Sequence, residues 1–346
     1  MRLATSKTLS EEINMRIRDF ALSPPPIHGT IPVGTAMSQD TDISWPVLRR
    51  IVQEWAGNSA ELAEVTPLDG GCISATVALK LADGARAVLK ISSHRVDKSY
   101  VRQAHQLELL RAAEVPVPKV YAAKTGTLDD PFSYILMEFI DGVDWSEARR
   151  RASPDQFDGL QVHLAELLQS IHRRTNPCYC RVDPEGADEF PQWAAFYRAT
   201  YDSICKDFEK SPLLGVMARK IVNRVRDRLD RLIIHDDQPR LTHWDLWASN
   251  LLAHCDKTGR WRVAALLDPH CKFAHAEAEL AYLELFQTVG PPFMKAYQSQ
   301  RKLGEDYHRV RKPVYQMHSL LNHVCLFGEP YAKRLAAAIE RVGALV

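Results

Sequence analysis

The sequence is short of several things, and each absence removes a class of function. No run of about 18 apolar residues occurs, so no segment is suited to cross a bilayer as a helix. Neither sign of charge is in excess: 44 Lys and Arg against 43 Asp and Glu leave a formal net charge of +1. Such a chain raises no basic field to attract nucleic acid or an anionic membrane, and neither partner is expected. The opening residues, MRLATSKTLSEEINMRIRDF, hold no continuous apolar core and contain acids, which argues against a secretory signal or a transit peptide. The seven cysteines are odd in number and scattered, so they outline no disulfide framework and suit a reducing compartment; a cytoplasmic protein is expected. Cys178 and Cys180 form the one close pair, and no second pair stands at zinc-site spacing. Internal repeats and low-complexity blocks are also missing.

What is present is an ordinary globular composition, 46% hydrophobic and 25% charged, in 346 residues, enough for two lobes with separate cores. Residues 1–43 read as an extension: Thr8 and Glu11 offer a capping box to a short amphipathic helix that Pro24, Pro25 and Pro26 end, and a Pro-, Gly-, Ser- and Thr-rich linker follows, with Met37 an alternative start. Ser44 then caps a helix with Pro46 in its first turn and Gly57 beyond its end.

Past that helix the pattern changes period. Ile73, Ala75, Val77, Leu79 and Leu81 alternate, Asp83-Gly84 turns the chain, and Ala85 to Ile91 forms a second strand. Gly70, Gly71, Cys72 and Ser74 precede this hairpin, where glycines let backbone amides approach phosphate oxygens. Lys90, an ammonium within an apolar strand, needs a partner and can reach the same phosphates as a point charge. A helix over about 97–113 follows. A lysine of this kind pairs with an acid on such a helix. Glu108 is the acid near its middle, but spacing from Pro116 and Pro118 puts Gln106 closer to the expected position. Strands near 117–122 and 134–139 end in Glu138, Phe139 and Ile140 before Asp141-Gly142, a hinge whose main-chain groups suit an adenine edge. From Ser153 onward the periodicity is helical. Three divisions result: an extension (1–43), a strand-rich lobe (44–139) and a mainly helical lobe (140–346).

One interruption of the helical half carries the chemistry. Between Arg240 and Pro269 an apolar segment (Leu251, Leu252, Ala253), a turn at Lys257-Thr258-Gly259 and a second apolar segment (Trp261 to Leu267) predict a hairpin. Antiparallel pairing brings Asn250 and Asp268 side by side at its open end, with Asp245 on the loop just before. Two oxygen ligands beside a further carboxylate are what phosphoryl transfer needs. Asn250 and Asp268 would hold Mg²⁺ on the phosphates of ATP, and Asp245 would accept the proton of the attacking hydroxyl.

These residues resemble a known family. His243-Trp244-Asp245-Leu246-Trp247 through Asn250, Asp268-Pro269, His275-Ala276-Glu277, Tyr315-Gln316 and Leu321-Asn322-His323 through Leu326-Phe327-Gly328 are similar to the motifs of the fructosamine/ketosamine-3-kinases over about residues 45–342. The resemblance implies an α+β, bilobal protein-kinase-like fold, with a small antiparallel-sheet N-lobe of five strands and a larger, mainly helical C-lobe. It implies ATP and Mg²⁺ as cofactors and the 3-hydroxyl of a ketosamine, on a small amine or a protein lysine, as acceptor, a deglycation step. By position it makes Asp245 the catalytic base, Asn250 and Asp268 the magnesium ligands and Lys90 the phosphate-binding lysine. Trp247 would stack on the sugar, and His275 and Glu277 stand on the substrate side. It also implies a monomer or a redox-sensitive dimer, with Cys72 the sensitive thiol. Three departures concern the acceptor side: Trp244 replaces the motif glycine, His270 replaces the alanine after Asp268-Pro269, and the substrate-side loop shortens to Asn176–Trp193. A kinase of another small hydroxylated metabolite or antibiotic, and a non-catalytic nucleotide-binding scaffold, therefore remain alternatives. No DFG or APE element of protein kinases occurs.

Overall fold

The period-two pattern around Val77 becomes a strand whose alternate residues Ala75, Val77, Leu79 and Leu81 are buried. The computed structural model describes residues 30–31, 43–68, 75–93, 97–208 and 215–346. The glycine-rich segment with Gly70, Gly71, Cys72 and Ser74 and the expected helix near residues 8–20 lie outside the described residues. The chain divides into two compact units, 1–104 with 119–139, and 105–118 with 140–346.

In the first unit, helix α1 (Trp45–Ala56) begins after Ser44, which caps it by backbone conformation without a side-chain bond, and ends at Gly57 with φ 93°. Strands β1 (Leu62–Pro67), β2 (Ala75–Leu81) and β3 (Arg86–Ser92) follow, then helix α2 (Ser99–Ala112), β4 (Val120–Lys124) and β5 (Ser133–Glu138). The five strands form one antiparallel sheet in the order β1-β2-β3-β5-β4. Leu48, Ile51 and Val52 of α1 join Val77, Leu79, Leu89, Ile91 and Leu136 in a single core. Period 3.6 on the helix and period 2 on the sheet thus present matching apolar faces.

The first unit's boundary runs through α2, between Ala104 and His105. Residues 105–118, which the sequence assigns to the strand-rich lobe, belong to the second unit, because their polar groups are spent there. Gln106 donates to Val182 O at 2.7 Å and accepts from Cys271 N at 3.0 Å, and Leu266 N donates to Pro116 O at 2.9 Å.

The second unit opens with β6 (Val143–Asp144), α3 (Trp145–Arg151) and α4 (Pro154–His172), the last started by a Ser153/Gln156 capping box. It continues through β7 (Cys180–Arg181), α5 (Trp193–Phe208), α6 (Val216–Asp227), α7 (Leu229–Leu232), β8 (Arg240–Thr242), β9 (Leu251–Cys255), β10 (Trp261–Leu266) and β11 (Lys272–Ala274). Helices α8 (Ala276–Leu285), α9 (Pro291–Gln300), α10 (Lys312–Phe327) and α11 (Ala332–Gly343) complete it. Two three-stranded sheets, β8-β11-β7 and β10-β9-β6, frame the loop between Thr242 and Leu251. Gly142 is required at the entry to β6, since a Cβ there would stand 3.0 Å from Ala253 O. Among the described residues no helix is long and apolar enough to cross a membrane.

Candidate active site

The expected hairpin is β9 and β10, antiparallel from Leu251↔Leu266 to Cys255↔Trp261. Its turn is closed by Asp256, whose Oδ1 accepts from Thr258 N and Arg260 N, with Gly259 at φ 81°. At the open end Leu267 N donates to Asn250 O at 2.9 Å, which ties the residue before Asp268 to Asn250. Asn250 Nδ2 in turn donates to Asp245 twice, to the backbone O at 2.8 Å and to Oδ2 at 3.2 Å. The other carboxylate oxygen, Oδ1, accepts the Tyr282 hydroxyl at 2.8 Å. Both oxygens of Asp245 are thereby oriented, and each retains a second lone pair. Burial and the neighbouring Asp245 charge push the Tyr282 phenol far above its ordinary range, so it serves as a fixed donor.

Trp244 of this loop and Asp268, just beyond β10, hold a left-handed backbone without being glycine, at φ 70° and φ 53°. For an indole-bearing residue this conformation is strained and persists only when its surroundings enforce it. The enforcing group is Glu279 on α8, whose Oε1 accepts the Trp244 N–H at 2.5 Å. Glu279 Oε2 pairs with His172 Nε2 at 2.8 Å, and His172 Nδ1 meets the Tyr297 hydroxyl at 2.6 Å. His172 is thus a packed structural histidine. His243, fully buried, is kept neutral chiefly by its burial, against the opposing carboxylates of Glu279, Asp245 and Asp268. Those three carboxylates therefore share its surroundings.

The Trp244 indole carries the ammonium of Lys272, 3.9 Å above the ring centroid. Desolvation first, then the Arg181 guanidinium, push the Lys272 pKa down to about 7, against the opposing pull of Asp245. Trp247 presents its ring to solvent, 40% exposed.

A divalent ion fits this donor set. Asn250 Nδ2 is committed to Asp245, which aims Oδ1 the other way, and the Asp268 carboxylate stands one residue beyond the Leu267–Asn250 bond. A carboxamide oxygen and a carboxylate are hard donors of the kind Mg²⁺ takes when phosphates and water supply the rest. Among the described residues no group of three or more His, Cys, Asp or Glu could hold a metal ion.

Other predicted residues are placed differently. Lys90 stands at the centre of β3, in register with Thr76 and Ile135 of the first unit. Neither helix residue expected to face it is available for that purpose: the Gln106 amide serves Val182 and Cys271, and Glu108, 57% exposed, pairs with Arg111. Glu138 ends β5, its N–H donated to Lys119 O, and Phe139 lies under the Arg86 guanidinium at 4.3 Å; the unit boundary falls between Phe139 and Ile140. His275 and Glu277, which the motif puts on the substrate side, are both buried. His275 is buried, stacked 3.6 Å from His235 and bonded through Nδ1 to the Tyr315 hydroxyl. Glu277 is buried and bound by Arg311 at 2.6 and 3.1 Å and by Gly304 N at 2.8 Å. His275 stands at the start of α8 without a side-chain cap bond, and Glu277 is an acid in its first turn. Sequence reasoning passed over Tyr282, Glu279 and Lys272. The available signal was two acids inside the apolar helix α8, because buried carboxylates require partners.

Comparison with solved structures shows the fold. The fold matches a "putative fructosamine-3-kinase" from Thermobifida fusca with TM-score 0.68 at 24% identity, over 85% of this chain and 98% of that one. It also matches aminoglycoside phosphotransferase APH(4)-Ia, solved with AMP-PNP and hygromycin B, with TM-score 0.60 at 16% identity, over 86% of this chain and 97% of that one. The protein has the kinase-like α+β fold. The fructosamine kinase family model matches residues 44–344, and the chain belongs to that family. It is thus an enzyme, a phosphotransferase with an alcohol group as acceptor. Among curated relatives, "Probable ketoamine kinase YniA" of Escherichia coli K12 is 27% identical over 308 residues, 86% of this chain and 99% of that protein. The chloroplastic protein-ribulosamine 3-kinase of Arabidopsis thaliana is 25% identical over 321 residues, 88% of each chain.

Proposed function

We propose that the protein transfers the γ-phosphoryl group of ATP to the 3-hydroxyl of a ketosamine, the first step in removing a sugar adduct from an amine or a protein lysine. The names of the relatives, ketoamine kinase and ribulosamine 3-kinase, support the acceptor class. The observation that carries the chemistry is the double orientation of the Asp245 carboxylate by Tyr282 and Asn250. In this reading one Asp245 oxygen accepts the proton of the acceptor hydroxyl as its oxygen forms a bond to phosphorus, and the bond from phosphorus to the ADP oxygen breaks. Asn250 and Asp268 hold Mg²⁺, which when bound offsets charge on the phosphates. Lys90 supplies a point charge to the phosphates, and Trp247 offers its exposed ring to the apolar face of the sugar. Glu138, Phe139 and Ile140 supply main-chain contacts to the adenine.

A second reading, phosphorylation of an aminoglycoside-like hydroxyl, is favoured by the bulky Trp244 beside the loop and by the hygromycin-bound structural neighbour. Turnover of Mg-ATP with fructosyl-lysine, ribulosyl-lysine and an aminoglycoside panel separates the two. The expected result is activity on a ketosamine that falls by roughly three or more orders of magnitude in Asp245→Asn. Activity confined to aminoglycosides, or unchanged turnover in Asp245→Asn, overturns the reading.

A further inference from the structure

Strand β11 places Lys272 opposite Arg181 of β7, in direct antiparallel register. Opposed residues of such a pair project from the same face with their Cβ atoms about 5 Å apart, and like charges in that position repel. The repulsion is felt here, because Arg181 is one cause of the depressed Lys272 pKa. Among the described residues no carboxylate stands within ion-pair distance of either head group. Lys272 rests instead on the Trp244 indole at 3.9 Å, while Arg181 lines a cavity of about 380 Å³ together with Asp183, Asp188, Phe190, Phe196 and Thr200. Lys272 is the more enclosed of the two and Arg181 the more exposed, and an anion held between them would offset their repulsion.

We infer that Arg181 and Lys272 form an oxyanion subsite on the acceptor side of Asp245, so that the preferred acceptor carries a carboxylate or a phosphate in addition to the hydroxyl it donates. This rests on the ketosamine kinase reading and deepens it. Several features agree on the location. Trp244, the platform under Lys272, is the residue before Asp245, so an anion held by Lys272 keeps the rest of its molecule near the base. Asp245 is among the charges that act on Lys272, opposite in sense to Arg181. Asp183 and Asp188, on the same cavity wall as Arg181, suit the ammonium that a ketosamine carries next to its sugar. A guanidinium offers a planar fork to a carboxylate or phosphate, and the lysine adds a point charge; such charge-assisted bonds are the strong ones.

The test compares fructosyl-glycine with fructosyl-glycinamide, which differ by one carboxylate, and adds glycinamide carrying ribulose 5-phosphate, which moves the anion to the sugar. The wild-type enzyme is expected to favour at least one anionic acceptor over fructosyl-glycinamide by roughly ten- to a hundredfold in kcat/KM, the size of charge-assisted hydrogen bonds. The arm that shows the preference identifies the source of the anion. Arg181→Gln and Lys272→Met are each expected to compress that ratio at least fivefold through KM rather than kcat, with Arg181→Lys retaining part of it. Calorimetric titration of the three acceptors into the protein gives the same ratios without turnover, so a failure of the kinase reading would not hide the result. Ratios near one in the wild type by both measurements, or variants that weaken anionic and neutral acceptors equally, overturn the subsite.

Discussion

Glu279 Oε1 accepts the backbone N–H of Trp244 at 2.5 Å. That bond joins a buried carboxylate on α8 to the strained residue immediately before Asp245, and His172 holds the other carboxylate oxygen at 2.8 Å. Removing a buried carboxylate that two groups bond to leaves those groups unsatisfied, at a cost of about 1–3 kcal/mol for each. Glu279→Ala is therefore expected to lower unfolding free energy by about that amount, read from urea midpoints, and to reduce kcat more than KM as Asp245 loses its position. Glu279→Gln keeps an acceptor for Trp244 N–H and should retain more turnover than Ala. Equal activity in Glu279→Ala and wild type would remove the clamp from the account.

Tyr282 makes a narrower contribution, through one hydroxyl. Tyr282→Phe deletes the donor to Asp245 Oδ1 and leaves the ring in place. A hydrogen bond to a charged group is worth about 1.5–3 kcal/mol, so kcat is expected to fall roughly ten- to a hundredfold while KM for ATP stays near the wild-type value. A fall in ATP affinity with unchanged kcat would contradict an orienting role.

Glu277 and Arg311 distinguish packing from recognition. Their bidentate bond is buried, with side-chain exposures of 9% and 7%. Glu277→Gln is expected to destabilise the fold by about 3 kcal/mol or more. The fraction that remains folded should show an unchanged ratio of kcat/KM between fructosyl-lysine and ribulosyl-lysine. A shift in that ratio without loss of stability would return Glu277 to the substrate side.

The histidines set the acid limit of stability. Burial above all holds His235 down to about 4 and His318 to about 3, and drives His275 well below its ordinary range. His235 and His275 stack with ring centroids 3.6 Å apart, so a proton on either faces the other. Above about pH 6.5 these groups are neutral in the folded and unfolded chain alike. From about 6.5 down to about 4 the unfolded chain binds protons that the folded state refuses, so unfolding free energy falls as pH falls. Urea midpoints are expected to drop steeply below about pH 6.5, with a shallower slope in His318→Phe. A midpoint that is flat down to about pH 5 would show that these imidazoles are not buried neutral.

The sequence by itself determined the elements that a single repeating face can dictate. Alternation gave the paired strands around Val77 and Leu89, the helical periodicity from Ser153 onward gave α4, and the apolar segments on either side of Gly259 gave the hairpin whose open end ties Leu267 to Asn250. Strands of two or three residues, such as Cys180–Arg181 and Lys272–Ala274, carry no period and could not be read in this way. Tertiary structure alone decided which polar residues were spent on packing and which remained for chemistry. His275 and Glu277 read as substrate-side groups from their motif, yet Tyr315, His235 and Arg311 claim them in the core, while Tyr282, 37 positions away in sequence, reaches Asp245. The physical reason is that apolar burial depends on a local pattern, whereas a buried polar group is satisfied by partners the folded chain brings from anywhere, and only coordinates name them.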